Sequence, residues 1–452
     1  MFGDFEAQRH WMEITYNLPV KEWYHNTSRN DLQYWGLDYP PLTAYHSYIC
    51  GAVGSKLNSS WMTLIDSRGA ESPPLKNYLR QTVLLADLLV FIPACFLFFG
   101  CCFKEMSSNQ NLSLLSMLLS PGLILIDHGH FQYNCISLGL ALWAVVFLCK
   151  GHDLFGSIAF VLALNYKQME LYHAMPFFCY LLGKSCSIFC GNFQPIDASR
   201  FLKLFKIGSV VIVSFVLCWF PFLWDRNDFL QVLHRLFPFA RGLYEDKVAS
   251  FWFSVSVIFK MKDHFETVTL TRICLLTTIF GLLPSSVHLF VKPRITTFVY
   301  ALVNSSLVFF LFSFQVHEKS ILLAALPVSL LHSRHPTLSL WFSVVASFSM
   351  FPLLAKDGLV FPFLSLTLVT TVFLCMSLPT KKSTLLHQLV NPVVFLSLFG
   401  MVSLLLANMV ITPPAHLPDL FPVLIAVYSC AHFMLFAVCF HYLQFTDHTS
   451  HF

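Results

Sequence analysis

From residue 80 onward, long apolar stretches alternate with short polar punctuation. Stretches near 80–103, 112–126, 135–149, 154–165, 170–190, 206–224, 268–291, 296–314, 320–333, 337–354, 359–378, 386–411 and 419–443 read as helices. A bilayer core asks for about 20 apolar residues per helical crossing, so the pattern predicts about thirteen spans. Several are shorter than that and must tilt, bend or stay buried among neighbours. Residues 1–79 and 224–267 break the pattern and are long enough to fold into partly helical caps outside the lipid. The predicted order is a loop over 1–79, a bundle over 80–223, a second loop over 224–267 and a second bundle over 268–452.

Sidedness follows from the basic residues of the short loops. Threading the spans alternately puts Lys104, Lys150, Lys184, Arg200, Lys203, Lys206, Lys292, Arg294, Arg334, Lys381 and Lys382 on one side. Only Glu105, Asp153, Asp197 and Asp447 oppose them there, so that side is expected to be cytoplasmic. Residues 1–79 then face a lumen or the exterior, where the sequons at Asn26 and Asn58 are expected to be glycosylated. The sequons at Asn111 and Asn304 fall in the cytoplasm and in the membrane, and both should stay unmodified. A far-side segment as long as 1–79 needs a signal or a preceding span, and polar sequence follows Met1 at once. The expectation is a shortened form that lacks an upstream span.

Composition agrees with the pattern. The chain of 452 residues is 56% hydrophobic and 12% charged, against about 25% charged in soluble domains. Its mean hydropathy is +0.65. The partner it demands is a lipid bilayer. A net charge of +4, spread along the chain, gives no basic patch for nucleic acid. The 14 cysteines lie mostly in or beside apolar stretches, where thiols act as small hydrophobes, and no disulfide framework is expected. No zinc-type spacing occurs in the polar loops; His128 and His130 stand two apart with no third ligand, so no metal is expected.

Polar residues gather at the non-cytoplasmic ends of the spans. The groups are Asp127–Asn134 (with His130 and Gln132), Asn165–Glu170 (with Lys167), His234–Gly242 (with Arg235 and Arg241) and Gln315–Lys319. Ionisable groups near membrane depth are costly and tend to mark function. One-sided placement favours an enzyme over a transporter, whose site would lie near the midplane between repeated halves. If a sugar carried on a lipid phosphate moved to a hydroxyl acceptor, phosphate would leave as a stable anion. One general base would suffice, with cations to hold the phosphate charge. Asp4 or Glu6 suits the base; His317, Lys319, Arg235 and Arg241 suit the phosphate.

Each residue has a plainer alternative. Asp4 fits an N-cap of a helix through Glu6–Trp11, and Asp38 fits a turn ahead of Pro40-Pro41. His317-Glu318-Lys319 fits an ion-paired helix entrance. Trp11, Trp23, Tyr34 and Trp35 fit interfacial anchors, and Asp87 fits a paired group inside the bundle.

The segments GDFEAQRHW (3–11), YWGLDYPPLTAYHS (34–47), HFQYN (130–134), NYKQMELYHA (165–174), RLFPFARG (235–242) and VHEKS (316–320) carry a resemblance. Together they resemble the endoplasmic-reticulum dolichyl-phosphate-glucose α-1,3-glucosyltransferases of N-glycan precursor assembly. LDYPP, HFQYN, RLFPF and VHEK are shared with the branch that adds the second glucose; the longer motifs look like the branch that adds the first. The resemblance implies an all-α polytopic membrane protein of GT-C type, with lumenal loops carrying the site and inversion at the anomeric carbon. It implies dolichyl-phosphate glucose as donor, dolichol-diphosphate-linked oligosaccharide as acceptor, and neither cofactor nor metal. The family's proposed base falls on Asp4, and its His-Glu-Lys motif on His317, Glu318 and Lys319, with His317 near the donor phosphate. Glu6, Arg9, Asp38, His130, Gln132, Lys167, Arg235 and Arg241 complete the expected substrate contacts. The alternatives are second-glucose activity, a lipid or ion transporter, and an inactive shortened isoform.

Overall fold

The computed structural model describes residues 3–101, 108–186, 198–237, 247–378 and 385–449. Arg241, Lys104, Glu105, Asp197, Lys381 and Lys382 lie outside the described residues. Among those described, regular structure is helical throughout. Every one of the predicted apolar stretches carries helix, and among the described residues eight helices are long and apolar enough to cross a membrane on their own, with further shorter apolar helices among the about thirteen expected spans.

Two of the shorter ones, Asn134–Cys149 and Asp153–Tyr166, have 16 and 14 residues. At 1.5 Å per residue they reach about 24 and 21 Å, short of a hydrocarbon core of about 30 Å. They offset this by packing on each other. Pro336–Ser349 is a third such helix.

The chain divides into two compact units. The first is Met1–Met106, Leu123–Ala174 and Leu181–Ala240; the second is Ser107–Gly122, Met175–Tyr180 and Arg241–Phe452. In the first, helix α1 (Gly3–Asn17) packs on α2 (Pro41–Leu57). At Gly51 the two helices approach closely, since a Cβ there would overlap the Met12 carbonyl. Pro40 and Pro41 start α2, a position where a missing N–H costs nothing. Beneath α1 lies an apolar cluster of Trp11, Ile14, Leu18, Trp23, Tyr24 and Leu37, joined by Trp219, Phe222 and Leu236. Trp11 and Trp23 are therefore core residues of the loop, correcting their expected place as interfacial anchors. Each indole N–H finds a backbone partner, the Trp35 and Leu18 carbonyls, which is what lets tryptophan sit inside.

Helix α3 (Pro73–Gly100) and helix α4 (Gln110–Phe131) each contain a π-helical turn, at Asp87–Phe91 and Leu125–Phe131. Such widened turns free backbone groups and recur at functional sites. Asp87 has the partner expected of it: His128 Nε2 lies 2.6 Å from its carboxylate.

Within each unit, residues assigned to one side of the membrane meet. Asp153 takes Lys184 and Lys203, each at 2.7 Å, and Arg334 pairs with Asp447 at 3.3 Å. In the second unit, Ile295–Phe312 is the most enclosed span, with 83% of it buried. Its Asn304 donates to Gln444 at 2.7 Å, which Ser285 also reaches at 2.6 Å. That sequon is buried.

Candidate active site

Asp4 and Glu6 occupy the first described turn of α1, where the helix dipole favours carboxylates. Asp4 thus lies inside the helix instead of capping one that starts at Glu6. Its Oδ2 accepts a hydrogen bond from Gln132 Nε2 and lies 3.0 Å from His130 Nε2. His130 is buried, while the Asp4 side chain keeps 27% of its surface open. A carboxylate that is held in place yet partly open is what a general base needs.

Between His130 and Gln132 stands Phe131, with φ +87°. That is strained for a residue with a Cβ and costs about 1–3 kcal/mol. The strain has a geometric result: His130 and Gln132 both turn toward Asp4. Phe131 packs edge-on against Phe5, next to Asp4, with ring centroids 5.1 Å apart.

Behind Gln132 runs a buried polar chain. Lys167 Nζ donates to Gln132 Oε1 at 3.0 Å and to Asn134 Oδ1 at 2.5 Å. Asn134 Nδ2 donates to Asp127 at 2.7 Å, and the other Asp127 oxygen takes the backbone N–H of Cys135 at 2.7 Å. Lys167 also sits 5.3 Å from the centroid of the Tyr39 ring. Burial pushes the Tyr39 phenol well above its ordinary value, and the charges of Asp38, Asp4 and Asp127 add to this. A small cavity of about 10 Å³, room for about one water, lies here, lined by Gln8, Tyr39, Thr43, Gln132, Tyr133 and Lys167 among others.

Glu6 and Arg9 belong to a second network on the same helix. The Arg9 guanidinium, fully buried, donates to Glu6 at 2.6 and 2.8 Å, to Glu13 at 2.7 Å and to Ser67 Oγ at 2.7 Å. Burial alone would lower its pKa, but Glu6 and Glu13 raise it above its usual value. Glu13 is pushed up by burial and pulled down further by His10, the Ile65 N–H and Arg9, to about 2. Glu6 also accepts from Tyr34 Oη at 2.9 Å and from the Gly69 N–H at 3.1 Å. Arg9 therefore braces α1 against residues 61–69.

Arg235 donates to the carbonyls of Leu37 and Gly36 at 3.0 and 2.7 Å, next to Asp38. The Asp38 carbonyl accepts from Gln168 at 3.0 Å. The helix that carries Arg235, Arg226–Leu236, also holds the loop through Asp228 to His25 at 2.9 Å and Gln231 to the Tyr24 carbonyl at 2.9 Å. In the second unit, His317 precedes a 3₁₀ turn, Glu318–Ile321, and His317, Glu318 and Lys319 are half-buried. Asn26 and Asn58 are exposed.

Glu13 and Ser67 were not among the expected site residues, and Asp127 and Asn134 were expected only as the ends of a polar group, with no role of their own. Glu13 had a signal in its i, i+4 spacing from Arg9. Ser67 had none, because only the fold brings residues 58 positions apart together.

A helical membrane body carrying a carboxylate-centred polar loop defines an all-α polytopic membrane protein. Residues 1–439 match the ALG6, ALG8 glycosyltransferase family. The chain is 47% identical over 477 residues to a Pongo abelii protein named dolichyl pyrophosphate Man9GlcNAc2 alpha-1,3-glucosyltransferase, covering 100% of this chain and 92% of the relative. Proteins of the same name from Mus musculus and Gallus gallus are 48% and 46% identical, each covering 99% of this chain and 91% of the relative. The chain belongs to the ALG6, ALG8 glycosyltransferase family, and is a glycosyltransferase.

Proposed function

We propose that this enzyme transfers glucose from dolichyl-phosphate glucose to a mannose of Man9GlcNAc2 on dolichol diphosphate, forming an α-1,3 linkage with inversion. The work is done at the lumenal face of the endoplasmic reticulum membrane. The observation that carries this is the full-length likeness to relatives whose names state that acceptor and linkage. Asp4 is the general base. It takes the proton of the acceptor hydroxyl as that oxygen attacks the anomeric carbon from the face opposite phosphate; the C–O bond to phosphate breaks, and dolichyl phosphate leaves as an anion needing no proton. Asp4 suits the role because its side chain is partly open and its Oδ2 is held by Gln132 and His130. His317 and Lys319 of the second unit are proposed for donor phosphate, on the family motif. No cofactor or metal is required in this scheme.

The test is mass analysis of dolichol-linked glycans in cells whose only enzyme of this kind is the present chain. Accumulation of species one hexose heavier than Man9GlcNAc2 supports the proposal. A pool stalled at Man9GlcNAc2 overturns it for this chain. A product one hexose heavier than an already glucosylated acceptor would point instead to second-glucose activity.

A further inference from the structure

We infer that His130, Phe131 and Gln132 form a clamp that aims the Asp4 carboxylate, and that Lys167 sets which end of the Gln132 amide faces it. The inference rests on Asp4 being the base, as proposed above, and makes these side chains positioning residues rather than substrate contacts.

The polarity of the chain of bonds is forced. Lys167 can only donate, so the oxygens of Gln132 and Asn134 must face it. Asn134 Nδ2 then points to the acceptor Asp127 and to Gln132 Oε1 at 3.0 Å. With its oxygen so engaged, Gln132 has only its NH₂ to offer Asp4. His130 meets the same Asp4 oxygen from the preceding turn. Two neighbours, i and i+2, converge on one atom because Phe131 takes φ +87° while Gln132 is extended, at φ −146° and ψ 178°. Both ends of the Gln132 amide are thus used inside the protein.

Charged and titratable groups around Asp4 include Glu6 on its own helix, His130 from α4, Lys167 and Asp127 beyond Gln132, and Tyr39 with Asp38 from the loop. Loosening the clamp should cost turnover, since reacting groups must be held within tenths of an ångström, and leave donor affinity intact.

The experiment uses the full chain in microsomes, with dolichyl-phosphate glucose and Man9GlcNAc2-diphosphodolichol. Asp4→Asn should abolish transfer. Gln132→Glu keeps Lys167 satisfied but sets an anion against Asp4. Its acid limb of kcat/KM should therefore move up by about one pH unit with donor KM unchanged. Lys167→Met should lower kcat roughly tenfold or more at unchanged KM. His130→Gln, which keeps a donor, should retain more activity than His130→Ala, and this pair serves if the Gln132 variant fails to fold. With Asp4→Asn inactive, an unmoved acid limb, a rise in KM at constant kcat, or equal loss in both His130 variants overturns the clamp and leaves the base standing. Wild-type activity in Asp4→Asn overturns the base, and the clamp with it.

Discussion

Arg9 Nη2 and Glu13 Oε2 lie 2.7 Å apart, one helical turn from each other on α1, and neither side chain reaches solvent. Glu6 closes the other side of the guanidinium at 2.6 Å. The helix that carries Asp4 is thus locked to residues 61–69 by a buried cation between two carboxylates.

Removing the cation leaves two carboxylates facing each other in a buried site, which costs about 3–5 kcal/mol. Arg9→Ala should lower the thermal inactivation temperature steeply and expose residues 61–69 to protease. Arg9→Lys should restore only part, because one ammonium cannot reproduce a fork that bonds Glu6 through two nitrogens. Limited proteolysis of the three proteins in detergent checks this.

Gly51 tests the contact of α1 with α2. A Cβ there meets the Met12 backbone carbonyl, which cannot turn aside as a side chain can. Gly51→Ala should destabilise by about 1–3 kcal/mol and reduce transfer through displaced α1. Gly69→Ala tests a different cause, because nothing crowds its Cβ and only its φ of +71° opposes the change. Thermal inactivation of both variants separates overlap from backbone strain.

His46 makes the loop sensitive to acid. It lies 3.0 Å from Tyr166 Oη and against the Tyr133 ring, and burial pushes its pKa down from 6.5 to about 4. The folded state binds fewer protons than the unfolded chain between those values. This contribution is therefore complete above pH 6.5 and is lost as pH falls toward 4. Glu13, lowered from 4.5 to about 2, adds a second loss below pH 4.5. Inactivation temperature measured from pH 7.5 to 4.5 should fall, and His46→Gln should flatten the part between 6.5 and 4.5.

Arg235 and Lys319 should part company kinetically. Arg235 holds the carbonyls of Gly36 and Leu37, so Arg235→Ala should loosen the loop, seen as protease sensitivity near residue 36, with donor KM kept. Lys319→Ala should raise donor KM if the amine meets the donor phosphate. Equal KM effects from both would overturn the contrast.

Asn26 and Asn58 are exposed on the loop assigned to the lumen. Asn26→Gln and Asn58→Gln should each remove one endoglycosidase-sensitive mass step, while Asn111→Gln should remove none. A glycan on Asn111 would reverse the sidedness.

The membrane body was legible in the sequence because a bilayer imposes one rule on every span: an apolar run with its hydrogen bonds satisfied internally. That rule placed helix in every predicted apolar stretch, including short ones such as Asn134–Cys149 and Asp153–Tyr166, which pack on each other, but it was silent on the helices of the polar loops, such as Gly3–Asn17 and Pro41–Leu57. Lys184 and Lys203, which the basic-residue pattern assigned to one side together with Asp153, both meet that carboxylate. Motifs brought out Asp4, His130, Gln132 and Lys167 as polar residues on one side. The sequence could not say which of them touch, because residues 128 positions apart meet only after folding. Tertiary structure alone decided that Trp11 and Trp23 are core, that Arg235 grips a loop, and that a strained Phe131 turns its two neighbours onto Asp4. Hydropathy is a property of each segment in its solvent, and a chain carries it openly; the aim of a side chain is set by backbone strain and by distant partners, which exist only in three dimensions.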